Sequence, residues 1–249
     1  MKNKTNNSYY TVFGVNNCSE ILNSDKDKII SIFLLKDGLA QRNDDIKKSL
    51  AKQKEKCKLL NKHDFSKKFD NKRTQGIVIH FNFYAHKTLP QFKNENTCLL
   101  IPESIEDPQN LGQIIRTSEC AGINGLLLPQ NRTVGLTNSV LQVSQGAFLN
   151  LPIYNIGNIS QTISILKKEG FWVVGIENGV DASNWYDIDY SGKIIFIVGS
   201  EGKGIRQKIL KNCDYIVTIP MLGKINSLNV SATVSAILFE RNRQLCKSK

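Results

Sequence analysis

"KIIFIVGSEGKGI", residues 193–205, decides the fold. Its first half is an unbroken apolar run, the pattern of a strand buried on both faces. Glycines follow at 199, 202 and 204, and a helical pattern begins near residue 203. Strand, glycine turn and helix in that order mark one βα unit of a parallel sheet. The turn is not a phosphate loop. Its spacing is not GxGxxG, and Lys203 is followed by Gly204 where a P-loop needs Ser or Thr. Glu201 would repel a phosphate held there. Two readings remain: a turn that brings backbone close to a neutral or cationic ligand, or a plain glycine-rich turn.

Similar apolar runs stand at 97–102, 125–129, 171–176 and 215–220. Helical patterns separate them near 109–121, 136–148, 160–169, 203–211 and 229–245. The second half therefore reads as an α/β domain, a parallel sheet covered on both faces. In such sheets ligands bind outside the carboxyl ends of the strands. The first half is smaller. Residues 28–35 and 74–84 read as strands, and 44–60 as a lysine-rich helix running into a short apolar piece. The expected division is a small α/β domain over 1–84, a polar linker over 85–96 with Pro90, and a larger domain over 97–249.

Charge follows that division. Residues 1–95 carry 19 Lys or Arg against 10 Asp or Glu, whereas 96–249 carry 14 against 12. A basic half beside a near-neutral half fits a polyanion-binding module joined to something else, and it equally fits a solvated lysine-rich surface. The six cysteines form no CxxC pair and no zinc-ligand spacing with the three histidines, so no metal is expected. Reduced thiols point to the cytoplasm. No run approaches the ~20 apolar residues that span a bilayer, and the N-terminus lacks the apolar core of a secretory signal.

Two further strand ends carry unusual sequences. "ESIEDPQNLGQIIRTSECAG" (103–122) starts a helix at Asp107-Pro108 and ends it at Gly122. Gly112, Gln113, Arg116 and Cys120 share one face. Glycine inside a helix costs about 1 kcal/mol relative to alanine. Gly112 either clears space one turn before Arg116 or packs against a neighbouring helix while Arg116 pairs with a carboxylate. "GKINSLNVSATVSAILFERNR" (223–243) sets Ser227, Asn229 and Ser231 ahead of a helix striped by Val230, Val234, Ile237 and Leu238. One of the three polar residues caps. The others remain as polar groups at a helix N-terminus, where a ligand can meet them.

In this order, "PQNLGQIIR" (108–116), "IVGSEGKGI" (197–205) and "IPMLGKINSLNVSATVSAILFE" (219–240) resemble motifs 1, 2 and 3 of the SpoU/TrmH family, RNA ribose 2′-O-methyltransferases of the SPOUT superfamily. "SQGAFLNLPIY" (144–154) resembles a further family segment. The resemblance covers 97–245. "YTVFGVNNCSEIL" (10–22) and "TQGIVI" (74–79) resemble the ends of an L30e-like RNA-binding extension. That extension occurs in the subgroup that methylates a guanosine of large-subunit (23S-type) ribosomal RNA. The resemblance implies a SPOUT domain whose C-terminal segment threads a trefoil knot, a homodimer, and S-adenosylmethionine as cofactor. It makes Gly199, Ile219, Met221 and Leu228 the cofactor contacts. It makes Arg116 catalytic, with Asn110, Glu201, Ser227 and Asn229 orienting Arg116, ribose and cofactor. Two positions depart from the pattern: Gln142 stands where many relatives carry a base, and Leu149 where they carry an acid.

All three histidines precede residue 96, so the larger domain offers no imidazole base. Arginine is a poor base, with a pKa above ~12. The expected role of Arg116 is to hold an RNA phosphate and stabilise the developing alkoxide, with the phosphate or Arg116 itself taking the proton. One of the polar residues before the last helix then caps it, while Ser227 and Asn229 line the transfer site. Two rivals stay open: a transfer-RNA methylase of the same family, and a relative that binds RNA without turnover. A dehydrogenase fails on the glycine spacing.

Overall fold

The computed structural model describes residues 9–24, 28–69, 71–178, 181–200 and 202–247. Along the chain these form β1 (Tyr10–Phe13), α1 (Val15–Asn23), β2 (Ile29–Leu35), α2 (Leu39–Arg42), α3 (Asp44–Ala51), β3 (Cys57–Leu60), α4 (Lys62–Lys68), α5 (Asn71–Thr74), β4 (Ile77–Phe81), β5 (Cys98–Pro102), α6 (Pro108–Cys120), β6 (Gly125–Pro129), α7 (Asn138–Val143), β7 (Ile153–Ile156), α8 (Ile159–Lys168), β8 (Trp172–Ile176), β9 (Ser183–Asn184), β10 (Ile194–Val198), α9 (Gln207–Leu210), β11 (Tyr215–Thr218) and α10 (Val230–Lys247). Contacts divide the chain into two compact units. One comprises 1–84 and 137–149, the other 85–136 and 150–249.

The first unit holds a four-stranded sheet in the order β1-β4-β2-β3, with only the β2–β3 pair parallel. α1 packs on β1 and β4 and against α3. Phe65 of α4 packs on Phe33 and Val78. The helix expected over 44–60 ends at Ala51, and residues 57–60 form β3 beside β2. Lysines at alternate positions masked that strand. Edge strand β1 leaves N–H groups pointing away from the sheet, and α7 receives them. Asn138 Oδ1 accepts the Thr11 N–H at 2.9 Å and Gln142 Oε1 accepts that of Phe13 at 3.0 Å. Gln142 Nε2 in turn donates to the Phe13 carbonyl at 2.9 Å. One side-chain amide thus imitates a neighbouring strand, and the i, i+4 spacing of Asn138 and Gln142 matches the i, i+2 spacing of the strand. A lysine at 142 could donate but not accept, so the paired bonds to Phe13 need a side chain that carries both groups, as Gln142 does. The helical pattern over 136–148 stops at Val143, because Gln145 and Gly146 turn left-handed at φ 53° and 87°.

The second unit is a seven-stranded parallel sheet in the order β7-β6-β5-β10-β8-β11-β9. Every residue of β5, β6 and β10 is buried. Leu99, Ile101, Leu127, Val173, Ile195 and Ile197 meet α8 and α9 on one face. The alternate residues, Leu100 and Phe196 among them, are buried on the other face. α6 and α10 lie against each other, with Thr117 and Ser235 hydroxyls 3.3 Å apart and Asn242 donating to the Ala121 carbonyl at 3.0 Å. Gly112 is buried within α6. Segment 85–96 is packed rather than a free tether: His86 exchanges backbone bonds with Ile153 and Asn155, and Leu89 and Phe92 cover the core. Strands β7 and β9 were not foreseen; β9 is two polar residues long and β7 carries Asn155.

Candidate active site

Three loops meet at the carboxyl edge of this sheet, after β8, β10 and β11. The turn after β10 is closed by the Gly204 N–H donating to the Ser200 carbonyl at 2.9 Å. A Cβ on Gly199 would overlap the Gly204 carbonyl and the Ile205 nitrogen, so only glycine fits. Gly204 sits at φ +61°, and a Cβ there would strike the Glu177 carboxylate. Gly202 and Gly204, left-handed at φ 81° and 61°, are why the helix expected from 203 starts only at Gln207.

Glu177, just past β8, ties the loops together. Its carboxylate accepts the Ile205 N–H at 2.5 Å and the Asn178 N–H at 3.1 Å. Asn178 Oδ1 accepts the Thr218 hydroxyl at 2.8 Å, and its Nδ2 donates to the Asn226 carbonyl at 3.0 Å. Glu177 and Asn178 were not anticipated. Their position directly after the apolar run 171–176, at a strand's carboxyl end, is the sequence signal that marks them.

Between these loops lies a cavity lined by Gly199, Ile219, Met221 and Leu228 together with Ser227 and Glu177. All four residues expected at a cofactor, and Ser227, thus share one cavity. Asn110 lines an adjoining cavity that has Ser200 and Val230 in common with the first. Asn229 joins the two regions, its Nδ2 donating to Asn110 Oδ1 at 2.9 Å.

The last helix is capped by Asn229 itself. Its Oδ1 accepts the Ser231 N–H at 2.9 Å and the Ser231 hydroxyl at 2.6 Å. The division of labour expected from the sequence, one residue capping while Asn229 stays free for the site, therefore needs correction. An amide has an oxygen for the cap and a nitrogen for a second task, so one residue does both. Asp107 caps α6 through the Gln109 N–H at 2.9 Å, with Pro108 in the first turn and Gly122 at φ +67° past its end, as the sequence indicates.

Arg116 lies exposed on α6 and lines neither cavity within one chain. Glu201 lies outside the described residues. Behind the site, the fully buried Glu103 carboxylate pairs with Arg206 and accepts the Ser104 hydroxyl at 2.9 Å. Among the described residues no group of His, Cys, Asp and Glu could hold a metal ion. Burial raises the Cys98 thiol to about 12 and that of Cys213 to about 11, so neither is a thiolate nucleophile near neutrality. Among the described residues no helix is long and apolar enough to cross a membrane.

A parallel sheet with a cavity between glycine-bearing loops and convergent amides at its carboxyl edge defines an α/β protein built to bind a small ligand there. The SpoU rRNA Methylase family profile matches residues 97–239, and that for RNA 2′-O ribose methyltransferase substrate binding matches 11–86. A Staphylococcus epidermidis protein assigned to the TrmH family of tRNA/rRNA methyltransferases is 32% identical over 224 residues, spanning 86% of this chain and 88% of that one. The crystal structure of the SpoU methyltransferase AviRb from Streptomyces viridochromogenes superposes with a TM-score of 0.81 at 18% identity, over 97% of this chain and 91% of that one. AviRb in complex with the cofactor AdoMet superposes at 0.80, with 19% identity over 96% and 92%. The chain belongs to the SpoU methylase family, as an RNA ribose 2′-O-methyltransferase with a substrate-binding region at its N-terminus.

Proposed function

We propose that the protein methylates the 2′-hydroxyl of a guanosine in large-subunit (23S-type) ribosomal RNA, using S-adenosylmethionine held in the cavity between the β8, β10 and β11 loops. The convergence of Gly199, Ile219, Met221, Leu228 and Ser227 on that one cavity carries the reading. The fit rests on the glycine cradle: the turn approaches closely enough that any Cβ at 199 would clash. The backbone groups of 199, 219, 221 and 228 hold the cofactor. Bound there, S-adenosylmethionine supplies a methyl group on a positively charged sulfur that leaves as a neutral thioether. Glu177 adds a carboxylate to that cavity, in keeping with a cation and not a phosphate.

Ser227, Asn229 and Asn110 orient the ribose, a role in which the motif resemblance also includes Glu201. Arg116 holds an RNA phosphate and stabilises the alkoxide character that grows on the 2′-oxygen. The hydroxyl proton leaves to the neighbouring phosphate oxygen and from there to water. The active enzyme is a homodimer, as the family resemblance implies, in which a second copy brings Arg116 to the site; the exposed position of Arg116, outside both described cavities of its own chain, supports this reading. Leu222 and Ile225 in the β11–α10 loop are strongly exposed, as is Phe239 on α10, and a partner would cover them. The C-terminal segment threads a trefoil knot. Residues 1–84 bind the RNA substrate. Ribosomal RNA is preferred over transfer RNA because the short relatives that act on tRNA commonly lack such a region. The free cysteines fit a cytoplasmic protein.

Two measurements test this. Titration calorimetry reads S-adenosylmethionine binding, and mapping of 2′-O-methyl sites compares cells with and without the protein. The expected result is one guanosine mark lost from large-subunit RNA. A mark lost from tRNA instead overturns the target, and absence of cofactor binding overturns the reaction.

A further inference from the structure

A second concave surface lies on the same edge of the sheet, at the carboxyl ends of β6 and β7. It is a groove of about 670 Å³ with three cations along it, Arg132, Arg206 and Lys208, and no carboxylate among the described residues that line it. Arg132 projects from a pinned loop. The Gln130 N–H donates to the Ile156 carbonyl at 3.0 Å, the buried Thr133 hydroxyl to the Pro102 carbonyl at 3.0 Å, and the Val134 N–H to the Ile105 carbonyl at 2.7 Å. Between those ties Arg132 is held at φ +66°, a left-handed conformation that disfavours any residue with a Cβ. Neither Arg132 nor Lys208 has an ion-pair partner among the described residues. An arginine held in this conformation on an anchored loop, with no ion-pair partner among the described residues, is a candidate for a binding role.

Arg206 is prepared differently. The buried Glu103 carboxylate engages its Nε, which leaves the outer guanidinium nitrogens for the groove. Arg206 also directly follows the glycine turn whose Gly199 and Gly204 line the cofactor cavity. In the sheet, β5 stands between β6 and β10, so Glu103 at its end lies between groove and cavity. Three positive charges from two segments, the loop after β6 and the start of α9, strung along an open groove on the same sheet edge as the cofactor cavity, match a chain of phosphates better than a single anion.

We propose that Arg132, Arg206 and Lys208 hold the phosphodiester backbone of RNA nucleotides flanking the one that is methylated. The proposal rests on RNA as the substrate and adds where the strand runs on this domain.

The test uses the full-length protein and unmodified ribosomal RNA transcribed in vitro, with the variants Arg132→Gly, Lys208→Ala and the control Lys168→Ala, at the opposite end of α8. RNA affinity is measured across a salt series, alongside Tm, S-adenosylmethionine affinity and methyl-transfer kinetics. Arg132→Gly should melt at or above the wild-type temperature yet bind RNA more weakly. The slope of log K against log salt should flatten by roughly 0.7–0.9 in each groove variant. The kinetic loss should fall on KM for RNA more than on kcat. Unchanged affinity and slope in both groove variants overturns the proposal, and so does an equal loss in Lys168→Ala, which would make the effect one of net charge. These outcomes are separate from the enzyme reading, which stands or falls on cofactor binding and transfer by the wild type.

Discussion

The Asn229 side chain donates to Asn110 across 2.9 Å, joining residues 119 positions apart, while its own oxygen caps α10. The first turn of one helix is thereby fixed to the first residue before another. Capping and site geometry are separable, because a carboxylate keeps the cap and loses the N–H donor. Asn229→Asp should unfold close to wild type but lose most methyl transfer. Asn229→Ala should lose transfer and also about 1 kcal/mol of stability. Chemical denaturation beside a tritium-methyl assay distinguishes them, and equal stability loss in both variants would deny the cap.

Arg116 is exposed on α6 and outside both cavities of its own chain. Arg116→Ala should abolish methyl transfer with cofactor affinity nearly unchanged. If a partner subunit supplies the guanidinium, mixing Arg116→Ala with Ser227→Ala subunits should restore part of the activity, since one mixed site then carries neither change. Mixed subunits as inactive as either parent would put Arg116 and Ser227 in the same chain's site.

Gly199→Ala places a methyl group against the Gly204 carbonyl. The turn must open, and Ile205 then loses its place on Glu177. S-adenosylmethionine affinity should fall at least tenfold, about 1.4 kcal/mol. Calorimetry giving a wild-type dissociation constant would show that this turn does not shape the cofactor cavity.

His80 makes the first unit acid-sensitive. It stacks on Tyr9 with ring centroids 4.5 Å apart and lies 5.1 Å from Phe33. Burial, and then the Lys68 ammonium, lower its pKa below the ordinary 6.5. Between the two values the unfolded chain binds a proton that the folded chain refuses. Stability is therefore full above about pH 6.5 and declines as pH falls through the folded pKa. Thermal melts of wild type and His80→Gln at pH 7.5 and 5 should show a smaller acid-induced drop in the variant.

The parallel sheet was legible because β5, β6 and β10 are apolar at every position, and helix α6 because Asp107, Pro108 and Gly122 punctuate it. What escaped had physical reasons. Strand β3 is "CKLL", whose lysine sits on an exposed edge face, and it followed a run that scans as helix. The turn at 202–206 held too few helical residues because glycine permits the left-handed backbone that ends the pattern. At the site, Gly199, Ile219, Met221, Leu228 and Ser227 came from a motif and fell in one cavity. Glu177 and Asn178 belong to no motif, and their tie to distant loops exists only once β8 and β11 are paired. The double duty of Asn229 could not be read either, since it depends on where Asn110 lies in space.

The amide pairing of Gln142 with Phe13 bears on how the molecule is dissected experimentally. A fragment cut at residue 84 keeps the four-stranded sheet but sheds the helix that satisfies β1, leaving a naked strand margin able to recruit another copy of itself. Such a fragment should self-associate, and adding a synthetic peptide of residues 137–149 should return it to a monomer in sedimentation experiments. RNA measurements made on the bare fragment would then report on an aggregate. The intact chain, or the fragment with its missing helix restored, is the species whose RNA affinity carries meaning.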